Sequence, residues 1–326
     1  MMEFTRGPST TPGNRNGNQD GNQSGNLESN SRQGDQPKGR ASTQASQHFS
    51  EQSSQQLSAD ILKILNEVSR VSHRLEPAVP AEWMLKRVQF LAYELQTFIS
   101  AVSASDSFLD AEKLSLLNRF FFSEKKFRCV GDTSAHALTL EGLRLNRVLS
   151  NRVGAPLVLE LIYAYLADGI GLTLEFVDLK PICFLKWRGK NQAHYIDLSR
   201  SGKTLTNDEL IETLSSRFRM TSFSSSQVLE ACSATNFTFE YVLSLKQAFG
   251  AMHDPHTLLF LQDTLIGYQP SNLQLVGERA VLHRRLGNLK SALSDLKRYF
   301  SFHDKSRAPS ELVNLHNELL HLLEQR

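Results

Sequence analysis

The sequence predicts an α+β domain that is preceded by helices and followed by an all-α region. Three observations support this fold class. A long apolar helix is followed by segments in which apolar and polar residues alternate, as in half-buried strands. Before that helix, apolar residues recur every three or four positions. After about residue 236 the pattern is helical to the end, and part of it recurs after 34 residues.

Length and charge limit the class of protein. The chain has 326 residues, which indicates two domains and a tail. Its 36 Lys and Arg nearly balance its 34 Asp and Glu, giving a net charge of +2. This balance excludes a protein whose main role is to bind polyanions by bulk charge, so no nucleic-acid partner is expected. The three cysteines are typical of reduced thiols in the cytoplasm, and without a CxxC pattern we expect no metal site and no cofactor.

Residues 1–56 are expected to be a disordered polar tail. Ser, Gln, Gly and Asn supply nine, nine, seven and six of these residues. The only large apolar residues are Met1, Met2, Phe4, Leu27 and Phe49. Their burial cannot offset a backbone entropy cost of about 1–2 kcal/mol per residue. The tail has no charged segment followed by an apolar one, so it is not a signal peptide.

No segment is expected to span a membrane. The most apolar stretch is Ala155–Leu172, and it contains Glu160 and Asp168. Each acid costs about 2.5–3.5 kcal/mol near the centre of a spanning helix, which outweighs the apolar gain. We therefore predict a buried helix of a cytoplasmic protein.

Helical spacing predicts four helices before the central one, at about 57–74, 80–102, 110–122 and 141–150. In the second helix the residues expected to face inward are Trp83, Val88, Leu91, Leu95 and Phe98. The central helix then begins at Pro156, where the missing N–H of proline costs nothing.

Three strands are predicted after the central helix, at Leu172–Asp178, Ile182–Arg188 and His194–Leu198. Gly189-Lys190-Asn191 is expected to form a hairpin turn between the last two. The strands should form an antiparallel sheet packed on the central helix.

The C-terminal residues 233–326 are predicted to form tetratricopeptide-like repeats behind an α+β domain at 57–232. The stripe of Leu289, Ala292, Leu293, Leu296 and Phe300 indicates the second helix of a pair, and Glu311–Glu324 a closing helix. Because two repeats are too few to enclose a core, we expect them to pack on the α+β domain.

Four phrases, in this order, resemble a known family. They are LNRVLSNRVGAPLVL at 145–159, PICFL at 181–185, YIDL at 195–198 and GERAVLHRRLG at 277–287. Over residues 57–326 the chain resembles the bacterial SirB-type family of transglutaminase-like proteins. The resemblance implies a papain-like core and a tetratricopeptide-like repeat tail.

The resemblance also implies where a Cys-His-Asp triad would lie. In transglutaminase-like enzymes the Cys begins the central helix, the His lies on the next strand and the Asp on the strand after it. Here these positions hold Pro156, Cys183 and Asp197, so only the last keeps its residue type. No catalytic residue is therefore assigned, and the triad is interpreted as degenerate.

Alternatives remain at each position. Cys183 is either a buried inert thiol or a reactive one, with His194 as the nearest base in sequence. Asp197 is either a relic of the triad or a hydrogen-bonded carboxylate at a strand end. Cys129 and Cys232 are interpreted as structural.

The favoured function is a non-catalytic scaffold that binds a protein partner through its repeats. Gln247, Gln274 and Arg284 are the predicted contacts, because the first helix of each repeat lines the concave face. A site for an acidic peptide on the basic residues near Arg284 is the alternative to a solvated face there. The alternative function is a thiol-dependent hydrolase or acyltransferase centred on Cys183 with Asp197.

Overall fold

The structure, a computed structural model, describes residues 39–102, 108–130, 139–179, 182–189, 192–218, 231–250 and 254–324. Side chains are described in these ranges except at 39–54, 178–179, 182–183 and 217–218. The chain divides at Gln47 into two compact units, of which the larger is His48–Arg326. Residues 1–38 of the predicted tail 1–56 lie outside the described residues.

The described residues form twelve helices and six strands. The helices are α1 Gly39–Leu75, α2 Ala81–Val102, α3 Asp110–Asn118, α4 Leu140–Leu143, α5 Leu145–Asn151, α6 Pro156–Asp168, α7 Asn207–Phe218, α8 Ala234–Gly250, α9 Pro255–Tyr268, α10 Leu273–Arg285, α11 Leu289–Phe300 and α12 Ser310–Glu324. The strands are β1 Arg128–Cys129, β2 Val153–Gly154, β3 Leu174–Leu179, β4 Ile182–Arg188, β5 Ala193–Asp197 and β6 Lys203–Leu205. A π-helical turn, Arg119–Glu124, continues α3, and a 3₁₀ turn, Leu198–Arg200, follows β5.

The first two helices differ from the prediction in two respects. Helix α1 begins at Gly39 rather than near Leu57, because residues 39–56 are rich in Gln and contain no proline and so are compatible with a helix. The prediction that Trp83 faces inward is wrong: its side chain is 42% exposed, and Met84 is buried in its place. Met84 continues the spacing of four, three and four residues through Val88 and Leu91 to Leu95, whereas Trp83 lies one position off that line.

The predicted antiparallel sheet is confirmed and has a fourth strand, in the order β3-β4-β5-β6. Leu185 pairs with Phe176 on one side and with Ile196 on the other, which defines the register. Lys190 and Asn191 of the predicted hairpin turn lie outside the described residues. The strand β6 was not predicted because three residues are too few to show an alternating pattern.

The sheet is covered on both faces. Leu174, Phe176, Leu185 and Ile196 belong to the large core that includes most of α6. On the other face, Val177, Phe184, Tyr195 and Leu205 pack against Leu210 and Leu214 of α7. Because successive side chains on a strand alternate between faces, this division follows from the register.

The C-terminal helices pack on the α+β domain, as predicted. The rings of Phe176 and Phe237 lie 4.5 Å apart, and the hydroxyls of Ser72 and Tyr241 are 2.9 Å apart. Helices α9 and α11 begin 34 residues apart, and α12 is the predicted closing helix. That these helices are tetratricopeptide-like remains a prediction.

Within the ranges given above, every helix is too short or too polar to serve as a membrane span.

Candidate functional site

The residues before α6 position its N-terminus. Strand β2 pairs in parallel with β1, so that Cys129 lies opposite Gly154. A Cβ atom at Gly154 would come within 2.7 Å of a methyl carbon of Val148, which explains why glycine is needed there. Pro156 then occupies the first turn of α6. The helix therefore begins with a side chain that offers no nucleophile.

The sheet topology brings the three triad positions to one end of the domain. Strand β3 starts beyond the C-terminus of α6, so the start of β4 and the end of β5 return towards its N-terminus. The turn Leu198–Arg200, which follows β5, contacts both α6 and β1. The backbone at Cys183 and the side chain of Asp197 thus lie at the same end as Pro156.

The carboxylate of Asp197 is engaged by its own turn. It accepts hydrogen bonds from the backbone N–H of Ser199 (3.0 Å) and from the Ser199 hydroxyl (2.5 Å). The Nε atom of Arg200 lies 3.6 Å from its second oxygen, and the carboxylate is only 5% exposed. These are the contacts of a hydrogen-bonded carboxylate at a strand end, which is one of the two interpretations made from the sequence.

His194 does not lie at this end of the sheet. It pairs with Trp187, and the two rings stack with their centroids 5.3 Å apart. Three residues along the strand, about 10 Å, separate it from Asp197, whose side chain faces the opposite side. Asp197 therefore cannot orient this imidazole.

Cys183 lies on β4, opposite Asp178 in the register. Its side chain lies outside the described part of the chain, so its burial and reactivity remain predictions.

Cys129, interpreted as structural from the sequence, is brought next to the residues that lead into α6. Its half-buried thiol is not part of a disulfide. No sequence signal could have located it, because a parallel pair of two-residue strands leaves no periodicity.

A small cavity of about 190 Å³ lies at the opposite end of the sheet. It is lined by Asp110, Gly171, Thr173, Glu175, Trp187 and Arg188. Glu175 accepts a hydrogen bond from Nε of Arg188 over 2.6 Å, and Nζ of Lys113 lies 3.8 Å from Asp110. Its lining contains none of the predicted triad positions, so the cavity is separate from them.

Tyr163 and Asn118 connect α6 to the turn that follows Asp197. The Tyr163 hydroxyl donates to Oδ1 of Asn118 over 2.7 Å, and the Asn118 amide donates to the carbonyl of Gly202 over 3.1 Å. Burial raises the pKa of Tyr163 well above its ordinary value, so it remains a neutral donor. This chain of hydrogen bonds holds the turn against the core.

The three predicted partner contacts lie on two helices. Gln247 is exposed on α8 and Gln274 is exposed on α10. Arg284, also on α10, forms an ion pair with Glu318 of α12. Within the described residues, no hydrogen bond or ion pair joins the three to one another.

A family model described as the transglutaminase-like superfamily matches residues 63–239, more than half of the chain. The match covers the α+β domain and the start of α8. Comparisons with curated proteins and with solved structures found no match.

Proposed function

The chain belongs to the transglutaminase-like superfamily, and on that premise we propose that it is a non-catalytic member of the SirB type that binds a protein partner through tetratricopeptide-like helices. The observation that carries the proposal is Pro156 in the first turn of α6, where the superfamily's nucleophile is expected. A thiolate at that place would be stabilised by the helix dipole, whereas proline supplies no reacting atom.

The surroundings of Asp197 support the same proposal. Its carboxylate is bonded to Ser199 and lies close to Arg200, and His194 is about three strand positions away. A general base needs a partner within about 2.6–3.2 Å. Asp197 and His194 are too far apart to supply such a pair. The turn has the contacts of a structural cap.

Thiol alkylation tests the absence of catalysis. We expect iodoacetamide at pH 7 to modify Cys183 in the native chain no faster than it modifies N-acetylcysteine, as measured by peptide mass spectrometry. Cys129 and Cys232 serve as internal references in the same digest. Alkylation of Cys183 at least about tenfold faster than the reference would indicate an activated thiolate and would contradict the proposal.

Partner binding is tested by substitution on the helices. Replacing Gln247 and Gln274 together with Ala should weaken capture of a partner that the wild-type chain retains. Adding Arg284→Gln to this double variant removes the third predicted contact without introducing a negative charge. A capture profile unchanged by all three substitutions would count against these contacts.

The second candidate function is a thiol-dependent hydrolase or acyltransferase centred on Cys183 with Asp197. One observation favours it: β4 and β5 bring the backbone of Cys183 to the sheet end where Asp197 and the N-terminus of α6 lie. Hydrolysis of p-nitrophenyl acetate that is lost in Cys183→Ala and kept in Cys129→Ala would support it. Equal background rates in both variants would leave the non-catalytic proposal standing.

A further inference from the structure

The cavity of about 190 Å³ at the far end of the sheet combines charged and aromatic side chains. Its lining comes from the start of α3, the segment between α6 and β3, β3 itself and the end of β4: Asp110, Gly171, Thr173, Glu175, Trp187 and Arg188. The volume is below the roughly 300–1,000 Å³ of sites for drug-sized ligands, so the cavity fits one small molecule. Asp110 is 53% exposed and Arg188 is 70% exposed, so a ligand in solution can reach both.

One ion pair of the cavity keeps donors and acceptors that its own two members do not use. Nε and Nη2 of Arg188 donate to the two carboxylate oxygens of Glu175, over 2.6 and 3.3 Å. Within the described residues, Nη1 of this guanidinium makes no hydrogen bond. A guanidinium has five N–H donors and a carboxylate has about four acceptor sites. The pair can therefore bind a group that both accepts and donates without coming apart.

A second pair, at the start of α3, has a gap between its charges. Nζ of Lys113 donates to the carbonyl of Gly171 over 3.2 Å and lies 3.8 Å from Oδ1 of Asp110. The second distance is too long for a direct hydrogen bond. An oxygen atom about 2.8 Å from both atoms would complete a triangle with them. A hydroxyl group fits this place, because it accepts from the ammonium and donates to the carboxylate.

The charges at the cavity favour a neutral ligand. Each carboxylate of the lining has a cationic partner: Lys113 lies near Asp110, and Arg188 is bonded to Glu175. Lys186 lies 3.9 Å from Glu175 as well, although it is not part of the lining. A charged ligand would have to compete with these partners, whereas a hydroxyl group can bridge each pair and leave it intact. The cavity therefore matches a molecule that carries several hydroxyl groups and no charge.

Trp187 adds an aromatic surface to the lining. The imidazole of His194 stacks on its indole, with the ring centroids 5.3 Å apart and the planes inclined by 27°, which fixes the position of the indole. The C–H groups of a sugar ring carry a slight positive charge, and the faces of aromatic rings are negative, so the two attract. An indole beside ion pairs that hydroxyl groups can bridge indicates a cyclic polyol.

We propose that this cavity binds one neutral monosaccharide ring. Hydroxyl groups on adjacent carbons accept from Arg188 and donate to Glu175, and another hydroxyl group bridges Lys113 and Asp110. The C–H groups of the ring pack on Trp187. The lining contains no triad position and no residue of the C-terminal helices, so this proposal does not rest on the proposed function.

Tryptophan fluorescence tests the proposal, because the chain has two tryptophans and one of them lines the cavity. In full-length Trp83→Phe, all indole emission comes from Trp187. This variant is titrated with D-glucose, D-galactose, D-mannose and D-xylose, and we expect at least one sugar to change the emission saturably. Saturation-transfer difference NMR on the wild-type chain detects binding that leaves the emission unchanged. No binding of any of the four sugars by either method would overturn the proposal.

Substitutions then locate the bound sugar. Asp110→Ala and Arg188→Gln each remove a partner of the hydroxyl groups and should weaken binding about tenfold. The matched controls are Asp208→Ala and Arg70→Gln, which should leave binding unchanged. Asp208 is likewise exposed in the first turn of a helix, and Arg70 bonds Glu67 through Nε and Nη2 in the same way. Equal weakening in the variants and their controls would place the sugar elsewhere and overturn the proposal.

Charged ligands are tested beside the sugars. Glycine and L-serine serve as zwitterions, and inorganic phosphate serves as an anion. We expect none of them to compete with the bound sugar. Saturable binding of one of these molecules that is lost in Arg188→Gln, when no sugar binds, would overturn the assignment of a neutral polyol.

Discussion

Arg284 of α10 donates two hydrogen bonds to one carboxylate oxygen of Glu318 on α12, over 3.0 and 2.5 Å. The two side chains are 41% and 44% exposed, and the pair joins α12 to α10, whereas α12 packs mainly against α11. A residue that the sequence suggests as a partner contact therefore already has an intramolecular role. Any test of partner binding at Arg284 has to separate the loss of a partner contact from the loss of the ion pair with Glu318.

We predict that Arg284→Glu destabilises the C-terminal helices. It places two carboxylates together where an exposed ion pair contributes up to about 1 kcal/mol, so the unfolding free energy should fall by about 1 kcal/mol or somewhat more. Urea unfolding followed by circular dichroism measures the change. The double variant Arg284→Glu with Glu318→Arg should recover most of the loss, and an equal loss in the double variant would show that the pair is not the cause.

A second prediction concerns Arg279, which links three helices. Its Nε and Nη2 atoms donate to Asp295 over 2.8 and 2.7 Å, and its Nη1 atom donates to Asp263 over 2.9 Å. Asp295 is 9% exposed, whereas Asp263 is 51% exposed. Asp295→Ala leaves a largely buried guanidinium without its main partner and should cost about 3 kcal/mol of unfolding free energy.

The matched control for Asp295 is Asp263→Ala. Its carboxylate is mostly in solvent, so its loss should cost less than about 1 kcal/mol. Equal losses in the two variants would mean that burial does not govern this network.

A third prediction concerns Gly202, in the turn after Asp197. Its φ is +77°, and a Cβ atom would lie 1.9 Å from Oδ1 of Asn118, which also accepts the Tyr163 hydroxyl. Gly202→Ala should therefore cost about 3 kcal/mol or more, because both the backbone and the hydrogen-bond chain are disturbed. Thermal unfolding of the variant measures the loss.

Gly287 is the control for the backbone contribution alone. Its φ is +74°, but a Cβ atom there would meet nothing within 4 Å. Gly287→Ala should cost only about 1–2 kcal/mol. A loss at Gly202 no larger than that at Gly287 would rule out the steric contribution of Asn118.

A fourth prediction concerns pH and His316 of α12. Burial and then the positive charge of Lys305, whose Nζ lies 3.1 Å from Nδ1 of the imidazole, lower the pKa of His316 below its ordinary 6.5. The unfolded chain then binds more protons than the folded chain between the two pKa values. The stabilisation is therefore complete above pH 7 and is lost as the pH falls through 6.5 towards the lower value.

Urea unfolding at pH 7.5 and at pH 5.5 measures this dependence. The unfolding free energy should be lower at pH 5.5, and the drop should be smaller in His316→Asn. Glu67 and Glu76, whose pKa values are lowered by hydrogen bonds, change protonation below this window and do not obscure the result. A drop of the same size in His316→Asn would assign the effect to other groups.

The elements that could be predicted from the sequence are those that carry their own periodicity. The inward residues of α2 from Val88 to Leu95 and the strand Ile182–Arg188 agree with the structure because burial of one face imposes a regular spacing. Strands β1 and β6 have two and three residues, which is too few for a pattern to appear. Trp83 could not be predicted for a different reason. Whether a residue at the margin of an apolar stripe is buried depends on the elements that pack beside it.

The chain alone establishes which residue types occupy the positions where the resemblance expects a triad: proline at 156, cysteine at 183 and aspartate at 197 are read directly from it, and no packing can change them. Which groups these residues contact depends on the fold. Strand register directs the Asp197 carboxylate to its own turn, and helix packing joins Arg284 to Glu318 across 34 positions of sequence. Chemical identity is local to a residue, whereas proximity depends on the contacts of the whole chain.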